Sequence, residues 1–95
     1  MSEVIDAAIA ALNDKIGTSF DGTAQFVIEG EGAVVIDANG ARAGDDEAEV
    51  TLTASAEDFQ AMMEGELNPT TAFMTGKLKV DGDMGAAMRL GSTLA

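Results

Sequence analysis

The 95 residues carry 17 Asp and Glu against 5 Lys and Arg, and the formal charge of −12 repels nucleic-acid phosphates and, over the whole molecule, anionic membrane surfaces. With 46% apolar side chains and one Pro, the chain fits a single folded domain rather than a disordered one. No His, Cys or Tyr is present, so nucleophile-base pairs of the Ser-His or Cys-His kind, most zinc sites and disulfides are excluded. No run approaches the ~18 apolar residues of a membrane span, and Met1-Ser2-Glu3 lacks the start of a secretory signal. A cytoplasmic protein without nucleic-acid partners, whose high charge keeps it soluble, is the expectation.

The first predicted element is a helix from Ser2 to Ile16, with Ile5, Ala8, Ile9, Leu12 and Ile16 on one stripe, Ser2 as its cap and Gly17 as its stop. Its alanines let it lie close to a sheet, and ordinary core packing is the reading for this stripe. A strand near Ser19 to Asp21 is only weakly indicated. Between Thr23 and Ala54 three runs alternate: Ala24, Phe26 and Ile28, then Val34 and Ile36, then Val50 and Leu52, with Thr, Gln, Glu and Asp on the other parity. This predicts a three-stranded antiparallel meander with one face on the core, turning at Glu29-Gly30-Glu31-Gly32 and at Ala38-Asn39-Gly40. The acidic run Gly44 to Glu47 reads as a solvated loop.

A second helix is predicted from Ser55 to Glu64, capped by Ser55 and closed by Gly65, with Phe59, Met62 and Met63 as its apolar stripe. The period then switches twice. Asn68 and Pro69 start a short helix that Gly76 ends; Leu78 and Val80 alternate with Lys77, Lys79 and Asp81 as a fourth strand; Asp81-Gly82 turns the chain. Asp83 caps a last helix on which Met84, Ala87, Met88 and Gly91 share one stripe.

Five of the six methionines, at 62, 63, 74, 84 and 88, fall in the last third of the chain. Unbranched thioether side chains adapt to irregular space, so with Phe59, Leu67 and Phe73 they either fill a core or line a container for an apolar ligand. Arg42, Lys77, Lys79 and Arg89 are candidates to meet a ligand's anionic head, although Lys77 and Lys79 alternate with Leu78 and so project toward solvent. The pairs Asp45/Asp46 and Asp81/Asp83 read as turn or capping residues, since nothing apolar flanks them to raise a pKa. Asp81-Gly82-Asp83 fails as a calcium loop because Ala86 and Ser92 stand where Gly and Glu are required. Gly30-Glu31-Gly32 lacks the third Gly and the strand-helix context of a dinucleotide site.

The run Asn68-Pro69, followed by Ala72-Phe73-Met74-Thr75-Gly76-Lys77-Leu78-Lys79-Val80-Asp81-Gly82-Asp83-Met84, resembles the C-terminal signature of the sterol carrier protein 2 type of lipid-binding domain. The likeness extends from Phe59 to Met84; the rest of the chain agrees in element order. It implies an α/β (α+β) domain over residues 1–95, with a largely antiparallel sheet of four or five strands, helices on one face and a hydrophobic tunnel between them. The implied function is non-catalytic binding and transfer of a lipid such as a fatty acid, acyl-CoA, sterol or phospholipid, with no cofactor. By the resemblance, Phe59, Met62, Met63, Leu67, Phe73, Met74, Leu78, Met84 and Met88 line the tunnel, Phe26, Ile36 and Leu52 form its sheet side, and Met84 and Met88 form a movable lid. Partners would be the lipid, a transient membrane contact, and a second copy or an enzyme. Longer family members continue into a C-terminal helix and, in peroxisomes, a Ser-Lys-Leu-like ending, whereas this chain ends Ser92-Thr93-Leu94-Ala95 and peroxisomal targeting is not expected; the compact size suggests a bacterial-style stand-alone version. A structural module of the same fold with a filled core, and an accessory subunit of a lipid-metabolising enzyme, are the alternatives.

Overall fold

The computed structural model describes residues 3–16, 20 and 22–94. The elements in chain order are α1 (Glu3–Lys15), β1 (Ala24–Glu29), β2 (Gly32–Asp37), β3 (Gly40–Ala43), β4 (Val50–Ser55), α2 (Ala56–Met63), α3 (Pro69–Met74), β5 (Leu78–Gly82) and α4 (Met84–Leu94). The expected cap at Ser2, the stop at Gly17 and most of the weak strand at Ser19 to Asp21 lie outside the described residues.

One five-stranded sheet has the order β3-β2-β1-β4-β5. All neighbours are antiparallel except β1 and β4, which run parallel with Phe26 opposite Leu52. The expected meander is therefore corrected. Its third strand is β3, a short run of Gly40-Ala41-Arg42-Ala43, whereas the Val50–Leu52 run crosses to the far side of β1. Antiparallel hairpins need only short turns, but a parallel partner must be reached by a crossover. Residues 44–49 make it, passing the helix-free sheet face: a Cβ on Gly44 would contact Val35 Cγ2 at 3.5 Å, and Gln25 Nε2 donates to Asp45 Oδ1 at 2.9 Å. Apart from that bond the acidic run is exposed, as a solvated loop should be.

Register puts the apolar parity of every long strand on one face. Ala24 pairs with Ile36 and Val50, Phe26 with Val34 and Leu52, and Leu52 with Val80. All four helices pack on that face and close a single core. α1 buries Ile5, Ala8 and Leu12, and its Asn13 side chain holds the edge strand by donating to Ala41 O (3.1 Å) and accepting from Ala41 N (2.8 Å). That exchange satisfies backbone groups which an edge strand otherwise leaves open. α2 begins at Ser55, whose hydroxyl accepts from Asp58 N at 3.1 Å, and ends before Gly65 at φ +80°. It sets Phe59 edge-on against Phe26, with ring centroids 4.7 Å apart.

Candidate functional site

The site is assembled by α3, β5 and α4, the segment in which the apolar period changes. Asn68 Oδ1 accepts from Thr70 N (2.8 Å) and Thr71 N (3.4 Å), and Pro69 occupies the first turn where its missing N–H costs nothing. Gly76, at φ +81°, ends this six-residue helix and turns the chain into β5. At the other end of β5, Gly82 sits at φ +112° with no room for a Cβ, which would collide with the Glu49 carbonyl oxygen. The Asp-Gly-Asp run thus has a structural account. Gly82 allows β5 to close on β4, Asp83 N donates to Glu49 O at 2.8 Å, and Asp83 Oδ1 accepts from Gly85 N at 2.8 Å to start α4.

These elements enclose a cleft of about 360 Å³. Phe26, Leu52, Leu78 and Val80 form its floor on the sheet, and Met62 reaches it from α2. Pro69, Thr70, Phe73 and Met74 line it from α3; Met84, Ala87, Met88, Gly91 and Ser92 line it from α4. Only the Thr70 and Ser92 side chains are polar, and none of the lining residues is ionisable. This size and character fit an apolar ligand held without a specific charge partner.

The rim is as informative as the floor. Met62 is 1% exposed, but Phe73 is 43%, Met84 45%, Met88 70% and Met74 79% exposed. Four large apolar side chains around one opening form a contiguous patch of the kind that marks a binding surface.

Of the twelve residues expected at the site, the cleft gathers Phe26, Leu52, Met62, Phe73, Met74, Leu78, Met84 and Met88. Phe59 and Met63 instead line a second hollow of about 410 Å³ between α1 and α2, with the Phe26–Phe59 ring contact standing between the two spaces. Ile36 is fully buried in the core, and Leu67 packs against its margin. Pro69, Thr70, Val80, Ala87, Gly91 and Ser92 are additional lining positions. Ala87 and Gly91 share the helical stripe of Met84 and Met88, and Val80 shares the parity of Leu78, so the sequence pattern did mark those three.

None of the four cations considered for a head group lines the cleft. Arg42 Nη1 donates to Asp37 Oδ2 at 2.7 Å on the β2–β3 hairpin, and Asp37 Oδ1 also accepts from Asn39 N at 2.8 Å. The Arg42 hydrogen bond, helped by the Asn39 amide, holds the Asp37 carboxyl below its ordinary range. Arg89 lies 3.9 Å from Glu49, and Lys77 and Lys79 are exposed. Among the described residues no group of three or more acidic side chains is placed to hold a metal ion.

Comparison with known proteins decides the ancestry of this arrangement. The family model described as the SCP-2 sterol transfer family matches residues 6–95. The chain belongs to that family. Within it, the chain is similar to the peroxisomal multifunctional enzyme A of Dictyostelium discoideum, at 40% identity over 86 residues covering 90% of this chain and 18% of that protein. The solution structure of the sterol carrier protein domain 2 of Helicoverpa armigera superposes with a TM-score of 0.75 at 30% identity, covering 96% of this chain and 84% of that one. The sterol carrier protein 2 of Aedes aegypti, solved in complex with the C16 fatty acid palmitate, has a TM-score of 0.79 at 24% identity and covers 100% and 97% of the two chains. The SCP-2 assignment accounts for the mixed α/β architecture and for the sequence signature from Asn68 to Met84. This SCP-2 domain corresponds to only a small part of curated relatives such as the Dictyostelium enzyme.

Proposed function

We propose that this SCP-2 domain binds a lipid with a long apolar tail, reversibly and without chemistry, in the cleft between α3, α4 and the sheet. The observation that carries the reading is the cleft itself: about 360 Å³ lined almost wholly by aliphatic, phenyl and thioether groups, with four large apolar side chains exposed at its mouth. Each methylene taken out of water contributes about 0.8 kcal/mol, so a dozen contribute about 10 kcal/mol, enough to offset the ordering cost of a flexible tail. The thioethers of Met62, Met74, Met84 and Met88 repack around tails of different shape, which favours a class of ligands over one compound. Met84 and Met88 act as the lid: α4 settling toward α3 over a bound tail turns the open cleft into a tunnel. The palmitate held by the Aedes aegypti protein supports a fatty acyl chain as the first ligand to test. A lining without ionisable groups favours binding over catalysis.

Titration with a fluorophore-labelled fatty acid, followed by competition with palmitate, tests this. Saturable uptake near one per chain, displaced by palmitate and weakened about tenfold or more by Met88→Glu, is expected. Uptake that does not saturate, or that Met88→Glu leaves untouched, defeats the reading.

A second reading has its own support. The Dictyostelium relative is named as a multifunctional enzyme, and this chain matches a small part of it. A lipid-binding unit that presents its cargo to a catalytic partner fits the same cleft. Co-purification with an enzyme whose turnover of a lipid substrate rises when the domain is added would favour it.

A further inference from the structure

We infer that Phe59, braced edge-on against Phe26, is the inner stop of the cleft and sets the length of apolar tail that the domain accepts. This deepens the lipid-binding reading above and rests on it. Two spaces meet at this pair of rings. The cleft of about 360 Å³ has Phe26 and Met62 in its wall, and the hollow of about 410 Å³ between α1 and α2 has Phe59 and Met63 in its wall. Phe26 and Phe59 touch, with centroids 4.7 Å apart and ring planes at 75°. Along that line the partition is two phenyl rings thick, and both rings are buried.

Each ring is held by its own element. Ser55 Oγ accepts from Asp58 N at 3.1 Å, which fixes the start of α2 and sets Phe59 in its first turns, where it is buried. Phe26 sits in mid-sheet between Val34 of β2 and Leu52 of β4, so its backbone cannot move without the sheet. A phenyl side chain turns about only two bonds, and the edge-to-face contact favours one arrangement of the pair. The thioethers of Met62, Met74, Met84 and Met88, in contrast, bend to suit what lies against them. The cleft is therefore adaptable in width and fixed in depth: tolerant of a tail's shape and selective for its length.

The tail rather than the head meets this stop. Phe26, Leu52 and Met62 at the floor are buried and offer no hydrogen bond, so a carboxylate there would be stripped of water and unpaired, whereas at the exposed rim it stays hydrated. The hollow beyond gives an anionic head no better place, since its lining includes Glu3 and Glu64 and no cation. Its remaining surface does suit methylenes: Val4, Ala7, Ala8, Ala11 and Met63 line it. Removing the Phe59 ring takes away the brace of Phe26 and opens the inner end of the cleft toward that surface.

Affinity against chain length is the test, measured on the full chain by displacement of a fluorophore-labelled fatty acid with saturated fatty acids of about eight to about twenty carbons. For the parent protein we expect about fourfold tighter binding per added methylene until the cleft is filled, then a plateau, because further methylenes are pushed out past the rim into water. In Phe59→Ala the plateau should begin several carbons later. Adding Ala7→Leu and Ala11→Leu, which fill the hollow from α1 without touching the cleft, should return the plateau to its parental length. Circular dichroism checks the fold of each variant; should the alanine variant unfold, Phe59→Leu keeps an apolar side chain in the core and should move the plateau a shorter way in the same direction. A parent protein whose affinity keeps rising to the longest acid overturns the inference. So does an unmoved plateau in the Phe59 variants, or a shift that survives filling of the hollow, which would mean general loosening rather than a removed stop. The two failures stay distinct: no displacement by an acid of any length sinks the lipid-binding reading, whereas displacement with an unmoved or absent plateau sinks the role of Phe59 alone.

Discussion

The two ends of one sheet face use similar amphipathic helices to opposite effect. Over β2 and β3, α1 buries Ile5, Ala8 and Leu12 against Val34 and Ile36, and the hollow of about 410 Å³ beside it opens toward α2 with no sheet residue in its lining. Over β4 and β5, α4 buries Ala86 and Leu90 but leaves Met84, Ala87, Met88 and Gly91 facing a cleft. The difference lies in side-chain volume and anchoring. Branched aliphatics at helical spacing, with Asn13 tied to the edge strand, draw α1 down to contact distance. Small residues and flexible thioethers, on a helix joined to β5 by one glycine turn, leave a gap that packing does not close. A small domain thus keeps a filled helix-sheet contact at one end and a sheet-floored cleft at the other.

The largest effect should come from Leu12→Ala. It removes a fully buried side chain from the filled end and should cost about 2–5 kcal/mol in urea unfolding, with little change in lipid affinity per folded molecule. If instead it cost little stability and impaired binding, the division between the two ends would be wrong. Gly82→Ala is next. The positive φ and the collision with Glu49 O should cost about 1–3 kcal/mol, and the loosened β4–β5 edge should show faster amide exchange around Val50 and Val80.

Gly91→Leu sharpens the comparison by making the open end resemble the closed one. A Cβ here would rest 3.8 Å from Pro69 Cβ, an ordinary contact, and replacing a mid-helix Gly gains about 0.5–1 kcal/mol. The longer side chain then occupies the cleft. Equal or higher melting temperature with loss of fatty-acid uptake is expected; uptake that survives would place the ligand elsewhere.

The smallest effect concerns Asp37, on the β2–β3 hairpin at the closed end and outside the cleft lining. Its folded pKa is depressed by Arg42 and Asn39, so its contribution to stability is present above the ordinary Asp range and is lost as pH falls through the lowered folded value. Asp37→Asn should therefore lower stability slightly near neutral pH and converge with the parent in acid, as read from melting curves across that range. A constant difference at all pH values would mean the pair acts through packing rather than charge.

Much of the local architecture was legible in the residues. Ser55, Asn68 and Asp83 cap where an oxygen-bearing side chain precedes an apolar stripe, and Gly30, Gly65 and Gly76 take positive φ where a turn was expected. β3 was missed because Gly40-Ala41-Arg42-Ala43 has no β-branched or aromatic residue, and it is a strand only through pairing with β2 and its tie to Asn13. Phe59 and Met62 share a stripe on α2, yet Met62 meets the cleft while Phe59 meets the hollow beside α1, a division that depends on where neighbouring helices stop.

By itself the sequence determined the apolar parity of the long strands, the caps that start α2, α3 and α4, and which family signature the chain carries, because periodicity, capping and glycine conformation act over a few residues. Only the tertiary structure decided that β1 and β4 run parallel and that one end of the core stays open. Alternating strands look alike whichever neighbour they join, and whether inward side chains meet or leave a cleft depends on distances between elements far apart in the chain.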